Sequence, residues 1–200
     1  MNQALPEVYL VRHADTAWTL TGQHTGRTDL PLTEQGERHA RALGPTLIAL
    51  RIDRILSSPL QRARRTAELA MPYAQGEEDD ELMEWDYSAY EGRRTAEIEV
   101  ERPGSRLFRD GCPGGETLDS LATRTDRVID RIRANGGTVL AFGHREVLRV
   151  FAVRWIGLAP IEGRRLLLAT ASLSVVGYDH DLTEPVIHAW NASAVDGETT

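Results

Sequence analysis

Two short apolar runs constrain this chain more than any other feature. Val8 to Val11, in "VYLVRH", does not alternate apolar with polar residues, so it reads as a strand buried on both faces. "TVLAFGH", residues 138 to 144, is another clear strand. Each stops abruptly at a histidine, His13 and His144, and the first histidine follows Arg12. Cation-capable side chains at the end of a buried strand are costly unless something negative meets them.

Between these runs the pattern changes to helical spacing. Thr33 reads as an N-cap, with Glu34 and Glu37 in the first turn of a helix whose Ala40, Leu43, Leu47 and Leu50 share a face. Pro45 should kink or break that helix. "DRILSS" predicts another strand, and a helix begins at Pro59 in "PLQRARRTAELAM". A helix is predicted from Glu116 to Arg133, stopped by Gly136 and Gly137, and another over 145–156. "RRLLLATASLSVVGYDH" and "EPVIHAW" supply two or three further strands, antiparallel in part. Glu77 to Glu81 reads as solvated surface. Strands alternating with helices predict an α/β fold: a three-layer sandwich with a mostly parallel central sheet and helices on both faces. The 200 residues suit one domain, 1–200, with 191–200 as a polar, flexible tail.

In such sheets ligands bind at the C-terminal ends of the strands. Arg12, His13 and His144 fall there, and Arg62, one turn into the helix after "SSP", lies near the same edge. Two arginines and two histidines make a pocket for a compact, multiply charged anion, because guanidinium forks match phosphate oxygens. A neutral histidine among them can act as a nucleophile. An acid would be needed to protonate a leaving oxygen. Glu84 sits among apolar and aromatic neighbours that would raise its pKa, with Asp86 and Glu91 as the substitutes nearby.

Composition narrows the ligand. The net charge of −7 argues against a general nucleic-acid binder, yet the 23 basic residues are arginines that can cluster locally. The single cysteine, Cys112, permits neither an internal disulfide nor a cysteine metal cluster, and reads as an inert thiol. No leader segment and no apolar run of roughly 18 residues is visible, so the expectation is a cytoplasmic protein with no membrane partner. A homodimer is left open.

The stretches "LVRHADTAW", "SSPLQRARRTA", "EWDYSAYEG", "CPGGETL" and "FGHREVLRV" resemble, in order and rough spacing, the histidine phosphatase superfamily, the phosphoglycerate-mutase-like group. The likeness covers about residues 7 to 180 and is strongest to the branch of acid and sugar-phosphate phosphatases. It implies His13 as nucleophile, forming a phosphohistidine, and Glu84 as general acid and base. Arg12, Arg62 and His144 would hold the phosphoryl group, and no metal or other cofactor is needed. It places Thr25 at a substrate contact. Thr19 stands where phosphoglycerate mutases have asparagine, and the stretch between Glu84 and His144 is too short for the insertion those mutases carry. A phosphatase acting on a small phosphorylated metabolite is therefore expected ahead of a mutase.

Three positions depart from the pattern. Ala14, Ser88 and Arg145 stand where relatives have glycine, which permits positive φ or close backbone approach. Arg145 either points away at the start of its helix or reaches the substrate as a second anion handle. These replacements also keep open a non-catalytic phospho-ligand binder or interaction protein on the same fold. His24, His39, His180 and His188 have no partner pattern and read as surface or packing residues.

Overall fold

The computed structural model describes residues 5–193. Strands β1 (Glu7–Arg12) and β4 (Thr138–Gly143) lie side by side and parallel, in register from Glu7 opposite Thr138 to Arg12 opposite Gly143. β2 (Arg54–Ser57) flanks β4, and β3 (Glu77–Glu78) flanks β2, both parallel. On the other side β5 (Ser172–Tyr178) runs antiparallel to β1, and β6 (Pro185–Ser193) antiparallel to β5. The strand order is β3-β2-β4-β1-β5-β6, and β5 alone runs against the others.

The non-alternating strands are explained by two cores. Val8, Leu10, Val139 and Ala141 face helices α6 (Leu118–Asn135) and α7 (Arg145–Trp155). Val11, Leu140 and Phe142 face α2 (Glu34–Ile48) and α3 (Gln61–Ala70). Successive side chains point to opposite faces, so both faces must be apolar. Each fully buried Val, Leu or Phe among them contributes about 1.5–3 kcal/mol. The expected three-layer α/β sandwich is what forms. Among the described residues no helix is long and apolar enough to cross a membrane.

Local signals are honoured at several helix ends. Thr33 Oγ1 accepts from Gly36 N (3.0 Å), and Thr117 Oγ1 from Ser120 N (3.1 Å). Gly136, at φ +67°, ends α6.

Four expectations are corrected. α2 runs through Pro45 without a break. The proline lies on the exposed side, where a carbonyl left without its partner can be met by solvent. Glu77 and Glu78 are exposed, but they form β3 at the sheet edge, and their brevity and charge blunt that edge against further pairing. The neighbouring Asp79 and Glu81 pair with Arg127 and Arg131 of α6. Asn191 to Ser193 belong to β6 and not to a tail. Asn191 is tied in by Ala169 N to its Oδ1 (2.7 Å) and by its own N to Ser174 Oγ (2.9 Å). Residues 194–200 lie outside the described residues. The loops after His13 and Glu84 also carry short helices that their composition hides. These are α1 (Ala17–Thr21), α4 (Thr95–Glu101) and α5 (Leu107–Asp110).

Candidate active site

Because β1 and β4 are adjacent and in register, the residues that follow them emerge together. His13 N donates to Gly143 O (3.0 Å), and the His13 and His144 rings stand 5.1 Å apart. Both histidines are buried.

His13 Nδ1 lies 2.8 Å from the carbonyl of Ala14. A carbonyl only accepts, so Nδ1 carries the proton and Nε2 keeps its lone pair. Burial, reinforced by the Arg62 and Arg12 charges, holds the His13 pKa well below 6.5. The imidazole is therefore neutral with a free nitrogen, the form a nucleophile requires.

His144 is held differently. Arg62 Nε donates to its Nδ1 (3.1 Å), so the ring proton is on Nε2, which donates to Ser58 Oγ (2.8 Å). Arg62, fully buried on α3, also donates to the carbonyls of Thr28 (2.9 Å), Thr25 (3.2 Å) and Gly26 (2.8 Å). It binds the long loop after β1 to the end of β4. Replacing it would leave three carbonyls and a ring nitrogen without donors. Arg62→Ala is expected to cost roughly 3 kcal/mol or more, read as a lowered urea midpoint; a loss under about 1 kcal/mol would contradict this brace.

Glu84 is buried with its carboxyl against the first turn of α7. It accepts from Glu146 N (3.0 Å), Val147 N (3.1 Å) and its neighbour Trp85 N (2.9 Å). These bonds favour the anion, but burial and then the Glu146 charge outweigh them, and the pKa is raised above 4.5. The acid is positioned by Arg124 of α6, which sequence reasoning passed over. Arg124 donates to the carbonyls of Glu81 (2.6 Å), Met83 (2.6 Å) and Glu84 (3.1 Å) while paired with Glu116 (2.7 Å). Asp86 and Glu91 serve the backbone instead: Asp86 accepts from Ser88 N, and Glu91 from Gly26 N and Thr28 N. A Cβ on Gly26 would lie 2.4 Å from Trp85 O, so only glycine lets this loop close on the acid.

A cleft of about 110 Å³ brings together Arg12, His13, Thr19, Thr25, Glu84 and Arg145. Arg62 and His144 do not line it; they lie behind its wall. Arg12 donates to Leu168 O (2.6 Å), while its buried Nε has no acceptor among the described residues. The Thr19 hydroxyl is engaged in capping α1 with Thr16 (2.9 Å), and the Thr25 hydroxyl donates to Gln23 O (3.3 Å). Arg145 reaches into the cleft.

The cleft also holds residues that the sequence reading did not pick out as site residues, Gln23, Tyr87 and Thr95, and His24, which it read as surface or packing. His24 packs on the Tyr87 ring (4.8 Å), and its pKa is lowered by burial. No local signal marks it, because its partners come from a distant segment. Among the described residues, the one grouping of metal-ligand types is Asp179, His180 and Glu184, exposed in the β5–β6 turn and outside the cleft.

The three lost glycines separate on backbone grounds. Ala14 and Arg145 are absent from the positive-φ residues, so neither replacement strains the chain there. Ser88 sits at φ +42°. Ser88→Gly is expected to stabilise the fold by roughly 0.5–1 kcal/mol, relief of strain exceeding the added unfolded-state entropy. An unchanged or lower urea midpoint would refute this.

Comparison with known proteins gives a consistent picture. The family model described as "Histidine phosphatase superfamily (branch 1)" matches residues 8–193. An acid phosphatase of Mycobacterium tuberculosis is 34% identical over 179 residues, covering 88% of each chain. The sedoheptulose 1,7-bisphosphatase of Saccharomyces cerevisiae is 35% identical over 191 residues, covering 79% of this chain and 70% of the relative. The solved structure of open reading frame Rv3214 from Mycobacterium tuberculosis superimposes with a TM-score of 0.88 at 31% identity. It covers 97% of this chain and 100% of that one.

Proposed function

The chain belongs to the histidine phosphatase superfamily, branch 1, and on that premise we propose that it is a metal-independent phosphomonoesterase acting on a small phosphorylated metabolite. The observation that carries this reading is the state of His13: buried, neutral, with Nδ1 pinned to Ala14 O and Nε2 free, in a cleft shared with Arg12 and the raised-pKa Glu84. The phosphatases named among its relatives agree with it.

In the first step His13 Nε2 forms a bond to phosphorus while the bond from phosphorus to the ester oxygen breaks. Glu84 gives its proton to that oxygen, and the alcohol leaves. In the second step the Glu84 carboxylate takes a proton from water as the water oxygen attacks phosphorus. The P–N bond breaks, phosphate departs, and both side chains return to their starting states. Arg12, which lines the cleft and has a buried Nε with no acceptor among the described residues, holds phosphoryl oxygens. Arg62 and His144 act from behind: the first adds positive charge near the transferring group, the second is fixed beside His13. Thr19 and Thr25 shape the mouth, and Arg145 meets the rest of the substrate.

The non-catalytic alternative drew its strength from the lost glycines. Two of the three cost the backbone nothing, which weakens that reading. The test is phosphate release over a panel of sugar phosphates, phosphoglycerates, nucleotides and an aryl phosphate, with and without excess chelator. Release that persists with chelator is expected. Binding without turnover across the panel would instead support the non-catalytic reading, and loss of activity with chelator would rule out metal independence.

A further inference from the structure

A second and larger pocket, about 620 Å³, opens beside the catalytic cleft and shares His24, Thr95 and Arg145 with it. Its walls come from segments far apart in sequence: α4 and α5, the start of α7, and the 3-10 turn Pro160–Arg165. It is lined by six arginines and one acid, Glu146.

Most of those arginines already have carboxylate partners. Arg106 pairs with Glu99 (2.7 Å), Arg109 with Asp110 (2.8 Å), and Arg165 with Glu162. Arg149 is buried, pairs with Glu146, and donates to Gly163 O (2.9 Å). Two guanidiniums are held weakly or not at all. Arg145 stands 3.8 Å from Glu146, which already closes on Arg149. Arg164 is exposed and has no carboxylate within ion-pair distance among the described residues. The pocket thus presents one guanidinium with no carboxylate partner among the described residues, Arg164, and one, Arg145, held only by a long contact to an acid it shares with Arg149; each carries a planar fork suited to phosphate oxygens. Its floor is apolar: Phe108 is buried beneath the Arg149 guanidinium (4.8 Å), with Leu107 beside it.

We propose that this pocket is the subsite for a second phosphate group, so that the substrate carries one phosphate at His13 and another held between Arg145 and Arg164. This rests on the phosphomonoesterase reading for what happens at His13, but the subsite itself is a matter of binding. A dianion matches the unpaired Arg164 and the weakly held Arg145. The apolar floor receives the carbon skeleton between the two groups, and Arg145, present in both walls, bridges cleft and subsite. A substrate ending in a hydroxyl would leave Arg164 unmatched.

The test uses ligands that cannot turn over. Calorimetric binding is measured for a series of α,ω-alkane bisphosphonates and for alkyl monophosphonates of matched length, on the unmodified protein and on Arg164→Gln. At the best chain length the bisphosphonate is expected to bind roughly ten-fold or more tighter than its partner. That advantage should shrink to about three-fold or less in Arg164→Gln and weaken as salt is raised. Arg164 is exposed, so the variant is expected to fold. No advantage at any chain length, or an advantage untouched in Arg164→Gln, would overturn the proposal. Aryl phosphate turnover in the same preparation reports separately on hydrolysis. Its absence, with the binding advantage intact, would remove the hydrolase reading and leave the subsite standing.

Discussion

His13→Ala is expected to lose phosphatase turnover by about 10⁴-fold or more, because the phosphoenzyme of the proposed mechanism forms on its Nε2 and neither His144 nor Cys112 can take its place. His144 has both ring nitrogens engaged, with Arg62 and Ser58. Cys112 is the chain's only thiol, and burial together with the Asp86 charge pushes its pKa up to about 12, so it stays protonated and unreactive. The variant loses a hydrogen bond to Ala14 O and the ring contact with His144, but His13 belongs to neither apolar core, and circular dichroism should show an unchanged fold. Rapid quench in base, followed by peptide mass analysis, should find phosphate on His13 of the unmodified protein and none on the variant. Turnover retained in His13→Ala, or a phosphoenzyme that forms elsewhere, would end the double-displacement mechanism.

Glu84→Gln should lower kcat by about 10²–10⁴-fold while leaving the shape of the site intact. The loss should be greatest for poor leaving groups such as sugar alcohols. It should be smallest for an aryl phosphate, whose leaving oxygen needs little protonation. The pH profile carries the same information. Glu84 must be protonated for the first step, so kcat falls as pH rises through its raised pKa. That limb should vanish in Glu84→Gln. His13 must be neutral, and its depressed pKa places the acid limb well below 6.5. The stability linkage has a matching sign. A carboxyl whose folded pKa is raised binds its proton more tightly when folded. Its contribution is present at low pH and is lost as pH rises from about 4.5 through the raised value. Equal losses for good and poor leaving groups, or a basic limb that survives in the variant, would show that Glu84 is not the proton donor.

Much of this was legible without coordinates because the signals are local. Val8 to Val11 and Val139 to Phe142 can be buried on both faces only in a sheet with helices above and below. Parallel strands in such a sheet end at one edge, so Arg12, His13 and His144 had to gather there. Thr33 and Gly136 mark helix ends through the backbone groups they satisfy or the φ they permit. Glu84 could be picked out by its apolar and aromatic neighbours. Pro45 misled because a proline on a solvated face need not end a helix. His24 was passed over, and Arg124 drew no notice, because their partners lie far along the chain. The two-residue strand at Glu77 is too short to show a periodicity.

By itself, then, the sequence determined the layers, the strand ends and the side chains that meet there, since periodicity and strand-end chemistry depend only on near neighbours. The tertiary structure decided the rest. It placed Arg62 and His144 behind the cleft, although 82 positions separate them. It set the tautomer of each histidine through the acceptor or donor on its other nitrogen. It turned Arg145 into the cleft and brought Arg164, from a turn late in the chain, to the same pocket. Which charges remain unpaired depends on every carboxylate within a few ångströms, and that is a property of the folded chain.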